Sequence, residues 1–159
     1  MSLREPLAET RLSAVLSRGR VQARFRSLSP EDAVDHLLRP VLLLEGFSPE
    51  ATDGALDGIR NREGAGSTSF GSVALPHARV GGLGRIVAAL GVNVDGVYES
   101  GPAGIRVILA FASPASATVE HLQFLAQVAR LLRQEETVAE LLEAADETTL
   151  LDAIRRRER

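Results

Sequence analysis

From residue 21 to residue 28 the chain alternates, with Val21, Ala23 and Phe25 set against Gln22, Arg24 and Arg26. A period of two predicts a half-buried strand. Ahead of it, residues 12–17 predict a short helical turn. Ser29-Pro30-Glu31-Asp32 then signals a helix start: Ser can cap, Pro suits the first helical position, and the acids face the positive end of the helix dipole. That helix would turn Val34, Leu37, Leu38 and Val41 inward. Ser48-Pro49-Glu50 repeats the signal and predicts a second helix, running to about Arg62.

The pattern then changes. Residues 63–72 read EGAGSTSFGS, too rich in Gly and Ser for a helix or a regular strand. Three short apolar runs follow, at residues 73–75, 85–94 and 105–111, rich in β-branched residues or bounded by Gly, Pro or Asn, and each predicts a strand. Helices resume after Pro114. Thr118 can cap one that sets Leu122, Leu125, Ala129 and Leu132 on one face, and residues 135–145 and 148–157 predict two more. Arg155, Arg156 and Arg157 fall in the last turn, where positive charge suits the dipole.

The predicted order is strand, two helices, three strands, three helices. It implies an α/β fold: a three-layer α/β/α sandwich with a central mixed sheet. The division expected is an N-terminal extension over residues 1–11 and one domain over residues 12–159. A length of 159 residues fits a single core, and that core must be aliphatic, because aromatics make up only 4% of the chain.

Composition narrows the chemistry. The chain has no Cys, so disulfides, thiolate nucleophiles and Cys-based zinc sites are excluded. Every basic residue is Arg, which excludes a Schiff-base lysine and a P-loop lysine. A net charge of −3 carries no basic footprint for nucleic acid. No apolar stretch reaches the ~18–20 residues of a membrane span, and the N-terminus lacks the continuous apolar core of a signal peptide. The expectation is a soluble, cytoplasmic protein with no membrane insertion.

Three histidines remain as notable nucleophiles. His36 lies on the first long helix, where a structural or surface place is expected. His77 follows Leu75-Pro76; the proline fixes its own φ and holds Leu75 extended, so the backbone reaching His77 is stiff. Just upstream lie Ser67-Thr68-Ser69 in the glycine-rich segment, able to turn hydroxyls and N–H groups toward an anion. Arg62 stands before it, able to form paired hydrogen bonds to a phosphoryl group. Local features leave a second reading open, a surface turn in which Pro76-His77 ends a strand. His121 sits near a helix start beside Glu120, where a neutral imidazole could meet a phosphorylated partner or merely face solvent. There is no HExxH motif, no GxSxG and no GxxxxGK[ST], so metal, Ser-hydrolase and P-loop readings find no support.

Arg62-Glu63, then Gly66-Ser67-Thr68, then Ala74-Leu75-Pro76-His77 resembles the active-site signature of the type-2 enzyme IIA family of the bacterial phosphotransferase system. The resemblance runs over roughly residues 12–155, through LSAVL, VQARFRSL, VILAFASP and EHLQFLAQVARLL. Ala78 stands where the family commonly has Gly, and Phe70 replaces a small aliphatic residue. The resemblance implies that His77 is phosphorylated on Nε2, that Arg62 steadies the phosphoryl group, that His121 is a second active-site histidine, and that Ser67 and Thr68 face the phosphate. It implies no metal or organic cofactor. The implied donor is phospho-HPr or the HPr variant of the nitrogen branch, and the recipient is a IIB domain or a regulatory target. The LSAVL opening and overall length look closest to the nitrogen-regulatory branch. With no IIB or IIC segment among these residues, a regulatory role is the expectation, with sugar transfer of the fructose/mannitol type as the alternative.

Overall fold

The computed structural model describes residues 10–26, 29–65, 69–93 and 104–158. In chain order the elements are α1 (Leu12–Ser17), β1 (Arg20–Phe25), α2 (Pro30–Leu44), α3 (Pro49–Ala65), β2 (Ser69–Phe70), β3 (Val73–Ala74), β4 (His77–Val80), β5 (Val87–Asn93), β6 (Val107–Pro114), α4 (Thr118–Leu132), α5 (Glu135–Glu143) and α6 (Glu147–Arg157). The strands form one sheet in the order β1-β5-β6-β3-β2, with β4 also paired to β6. β1 runs parallel to β5, β5 antiparallel to β6, and β3 and β4 parallel to β6, so the sheet is mixed.

Alternation along β6 separates two cores. Val107, Leu109 and Phe111 face a cluster with residues of α1, α4, α5 and α6; Ile108, Ala110 and Ala112 face a cluster with residues of α2 and α3. This is the expected three-layer α/β/α sandwich. Ser29 caps α2 by accepting from the Asp32 N–H at 3.0 Å, and Val34, Leu37, Leu38 and Val41 are buried, as their spacing predicts. Ser48 likewise accepts from the Ala51 N–H at 3.1 Å.

Several elements depart from the expected pattern. Val21 and Ala23 pack toward the α1/α4 side, but Phe25 packs toward α2. The cause is a bulge: Gln22 pairs Gly91 and Phe25 pairs Asn93, so β1 carries one extra residue and side chains beyond it change face. Arg24, inside the bulge, takes a φ of 58°. The strand expected over residues 73–75 does not end at His77. β3 and β4 keep one register on β6, Ala74 opposite Ile108 and His77 opposite Phe111. Pro76 offers no N–H, but its carbonyl accepts from the Phe111 N–H at 3.0 Å, so the ladder continues across the proline. β6 runs on to Pro114 rather than stopping at Phe111.

Thr118 does not cap α4. It is the first helical residue; the cap position is Ala117, which offers no side-chain acceptor. The buried stripe of α4 is His121, Phe124, Gln127, Val128, Leu131 and Leu132. Leu122 is 59% exposed, because it lies about 200° round the helix from Phe124, whose ring packs edge-on against Phe111.

Candidate active site

The start of β4 and the first turn of α4 meet over the end of β6. His77, the first residue of β4, is 3% exposed, and its ring stacks on its register partner Phe111 with centroids 4.9 Å apart and planes 5° from parallel. Its Nδ1 lies 2.6 Å from the Leu75 carbonyl oxygen. A carbonyl only accepts, so Nδ1 carries the proton and the lone pair of the neutral ring sits on Nε2. Proline disfavours a helical conformation in the residue before it, and the Leu75 carbonyl ahead of Pro76 is the acceptor that meets the ring.

His121 is 8% exposed and approaches from α4; its ring centroid is 5.4 Å from that of His77 and 5.6 Å from that of Phe111. Its Nδ1 is 2.8 Å from Ser113 Oγ, a buried hydroxyl near the end of β6. The sheet register and the helix start therefore bring together two histidines far apart in sequence, over one phenylalanine.

Both imidazoles are held below the usual histidine range. For His77 burial is the main cause, opposed by the hydrogen bond to Leu75; the charge of Arg62 lowers it further and Glu63 raises it. For His121 burial again leads, followed by His77, Arg79 and Arg62. Arg62 stands in the last turn of α3, and its positive field reaches both rings. The pair is accordingly neutral at neutral pH, with a nucleophilic nitrogen on His77 and cations close by.

Ser67 and Thr68 lie outside the described residues. His36 stands apart from this site: it stacks on Phe25 with centroids 5.6 Å apart, and its Nε2 donates to Gln22 Oε1 at 2.8 Å. Among the described residues no three His, Asp or Glu side chains cluster as metal ligands. Sequence reasoning missed Phe111, Ser113 and Arg79. Ser113 did leave a signal, the only hydroxyl in the apolar run VILAFASP that ends shortly before His121.

The family model for "Phosphoenolpyruvate-dependent sugar phosphotransferase system, EIIA 2" matches residues 15–157. The chain belongs to this family. It is a type-2 EIIA phosphoryl carrier, of a family that passes phosphoryl groups between proteins. The fructose-specific EIIA component of Haloferax volcanii is 28% identical over 129 residues, 78% of this chain and 81% of that protein. The fructose-specific EIIABC component of Bacillus subtilis (strain 168) is 29% identical over 149 residues; these make up 91% of this chain and only 23% of that longer protein. The crystal structure of the nitrogen regulatory protein IIA-Ntr from Neisseria meningitidis shares the fold, with a TM-score of 0.75 at 20% identity, covering 90% of this chain and 98% of that one. No helix among the described residues of this EIIA chain is long and apolar enough to cross a membrane.

Proposed function

We propose that this EIIA chain carries its phosphoryl group on Nε2 of His77. The observation that supports this most is the hydrogen bond from His77 Nδ1 to the Leu75 carbonyl, which leaves Nε2 as the nucleophile. In the forward step the Nε2 lone pair attacks the phosphorus of a donor phosphohistidine. The new P–N bond forms as the old one breaks, and the bonding pair leaves with the donor imidazole. The positive charge that develops on His77 is shared through Nδ1–H with the Leu75 carbonyl. Arg62 and His121 balance charge on the equatorial oxygens, and Ser67 and Thr68 complete the phosphate-facing loop.

The donor is phospho-HPr or its nitrogen-branch variant. Val119 and Leu122, 62% and 59% exposed on the turn of α4 that carries His121, supply apolar surface for a transient partner. The recipient is a IIB domain of a fructose-type uptake system or a regulatory target. The fructose-specific names of the two relatives favour the first, and the B. subtilis relative bears the name EIIABC. The regulatory role rests on the LSAVL opening; the likeness to the Neisseria protein, at 20% identity, speaks for the fold.

The deciding experiment supplies enzyme I, HPr and phosphoenolpyruvate and counts acid-labile phosphate. One phosphate per chain is expected, absent in His77→Ala. A His77→Ala protein that still gains it would falsify the assignment. Adding a fructose-type IIB domain then separates the two recipients: transfer to it supports uptake, and none supports regulation.

A further inference from the structure

The hydroxyl of Ser113 has one hydrogen-bond partner among the described residues, and that partner is His121 Nδ1 at 2.8 Å. Ser113 is fully buried, so bulk solvent does not reach its hydroxyl. Two proton arrangements satisfy the distance. In one, His121 Nδ1–H donates to Oγ, and the buried hydroxyl proton is left with no acceptor. In the other, the Ser113 O–H donates to Nδ1, and the proton of the neutral ring sits on Nε2. The first orphans a buried donor and the second orphans nothing, and an unsatisfied buried donor costs more than an ordinary hydrogen bond contributes.

We propose that Ser113 is a positioning residue that fixes neutral His121 as its Nε2–H tautomer, so that the nitrogen left for the phosphoryl group is a hydrogen-bond donor. The inference rests on the reading of His77 as the carrier and extends it. The two histidines are then set in opposite tautomers by two buried oxygens. The Leu75 carbonyl keeps the His77 proton on Nδ1 and frees Nε2 to attack. Ser113 keeps the His121 proton on Nε2, ready to donate to an oxygen of the group once it is bound. Burial, His77, Arg79 and Arg62 all hold His121 below the usual range, so it meets the incoming dianion as a neutral donor. No proton needs to change owner during transfer. The same contact ties the Nδ1 edge of the His121 ring to β6.

The test uses the whole chain labelled with nitrogen-15. Long-range proton–nitrogen correlations of the unphosphorylated protein are expected to show His121 with a bare Nδ1 and a protonated Nε2. Ser113→Ala is expected to give a mixed tautomer at His121, while His77 keeps its Nδ1–H signature, and to slow phosphorylation by phospho-HPr about two- to tenfold. Ser113→Thr, which keeps the hydroxyl, is expected to restore both readouts; should the extra methyl prevent folding, the comparison of Ser113→Ala with the parent decides alone. A parent protein with His121 protonated on Nδ1, or a Ser113→Ala protein with unchanged tautomer and unchanged rate, overturns the inference. If the parent takes no phosphate at all, the carrier reading fails, and the tautomer spectra still judge Ser113 independently.

Discussion

The imidazole of His77 lies flat on the ring of Phe111, its register partner on the neighbouring strand, and the same phenylalanine touches His121 and Phe124. Phe111 is thus the floor on which the site is assembled as well as a fully buried core residue. The two roles separate by substitution. Phe111→Ala is expected to cost about 3–5 kcal/mol of stability through the cavity it leaves. Phe111→Leu keeps most of the volume and should cost under about 1.5 kcal/mol, yet the flat surface under His77 is lost. Denaturant unfolding and the phosphorylation rate measured side by side check this. A Phe111→Leu protein as fast as the parent would show that stacking does not hold the ring.

Burial sets the sign of the pH response. His77 and His121 both have folded pKa values pushed below the unfolded value near ~6.5. Between those values the unfolded chain binds protons that the folded chain refuses. Their contribution to stability is therefore complete above ~6.5, falls as pH drops through the ordinary histidine range, and levels off below the depressed values. The carboxylates of Asp35, Glu45, Glu140 and Asp146 are held low by hydrogen bonds, so their losses come at more acid pH. Ring-proton titrations should give midpoints below ~6.5 for both histidines, and His77→Gln should flatten the decline in unfolding free energy near pH ~6. Midpoints at or above the ordinary histidine value would contradict the burial argument.

Arg62 acts at a distance that its charge reveals. It is exposed in the last turn of α3, and its field lowers both imidazoles. Arg62→Ala should leave the unfolding midpoint within experimental scatter, raise both histidine titration midpoints, and slow phosphoryl transfer about tenfold or more. Arg62→Lys keeps the charge without the planar fork, so it should restore the titration midpoints and only part of the rate. Unchanged transfer in Arg62→Ala would remove Arg62 from the phosphate site.

The layers were legible because buried strands and capped helices announce themselves locally. Ser29 and Ser48 cap where their sequence context says they should, and Val34, Leu37, Leu38 and Val41 face the core. What local periodicity could not show is what tertiary pairing decides. The bulge that turns Phe25 to the opposite face depends on the register with β5. The continuation of the strand past Pro76 depends on a carbonyl meeting Phe111 N–H. His77 stood out by its proline and His121 entered through the family resemblance, but the approach of the two rings over Phe111 needed the fold, and Ser113 acquires meaning only once α4 is laid over β6. Leu122 was misplaced because the stripe of α4 contains polar His121 and Gln127, which a hydrophobic count ignores.

Gln127 illustrates how such a polar core residue is used. Its Oε1 accepts from the Leu12 N–H at 2.8 Å and its Nε2 donates to the Thr10 carbonyl at 3.1 Å. A side chain of α4 thereby caps α1, whose own cap residue Arg11 supplies no side-chain bond. Gln127→Leu is close in size but leaves a buried N–H unpaired. It should cost about 1–3 kcal/mol, with α1 amides exchanging faster than those of β5 and β6. Equal protection of α1 in parent and variant would show that packing alone holds it.

Gly91 and Phe25 make a second coupled pair, created by the bulge. A Cβ built on Gly91 would sit 2.4 Å from Phe25 Cε1 and 3.0 Å from Leu37 Cδ2. The Phe25 ring occupies the space a side chain at 91 would need, and it also stacks on His36, itself held by Gln22. Gly91→Ala must push that ring aside within a close-packed layer, at about 1–3 kcal/mol. Phe25→Leu shortens the side chain and opens the same space at the expense of the His36 stack. The double variant should therefore lose less than the sum of the single losses, with a coupling of about 1 kcal/mol in the denaturant cycle. Additive losses would mean that Gly91 is required for something other than the Phe25 ring.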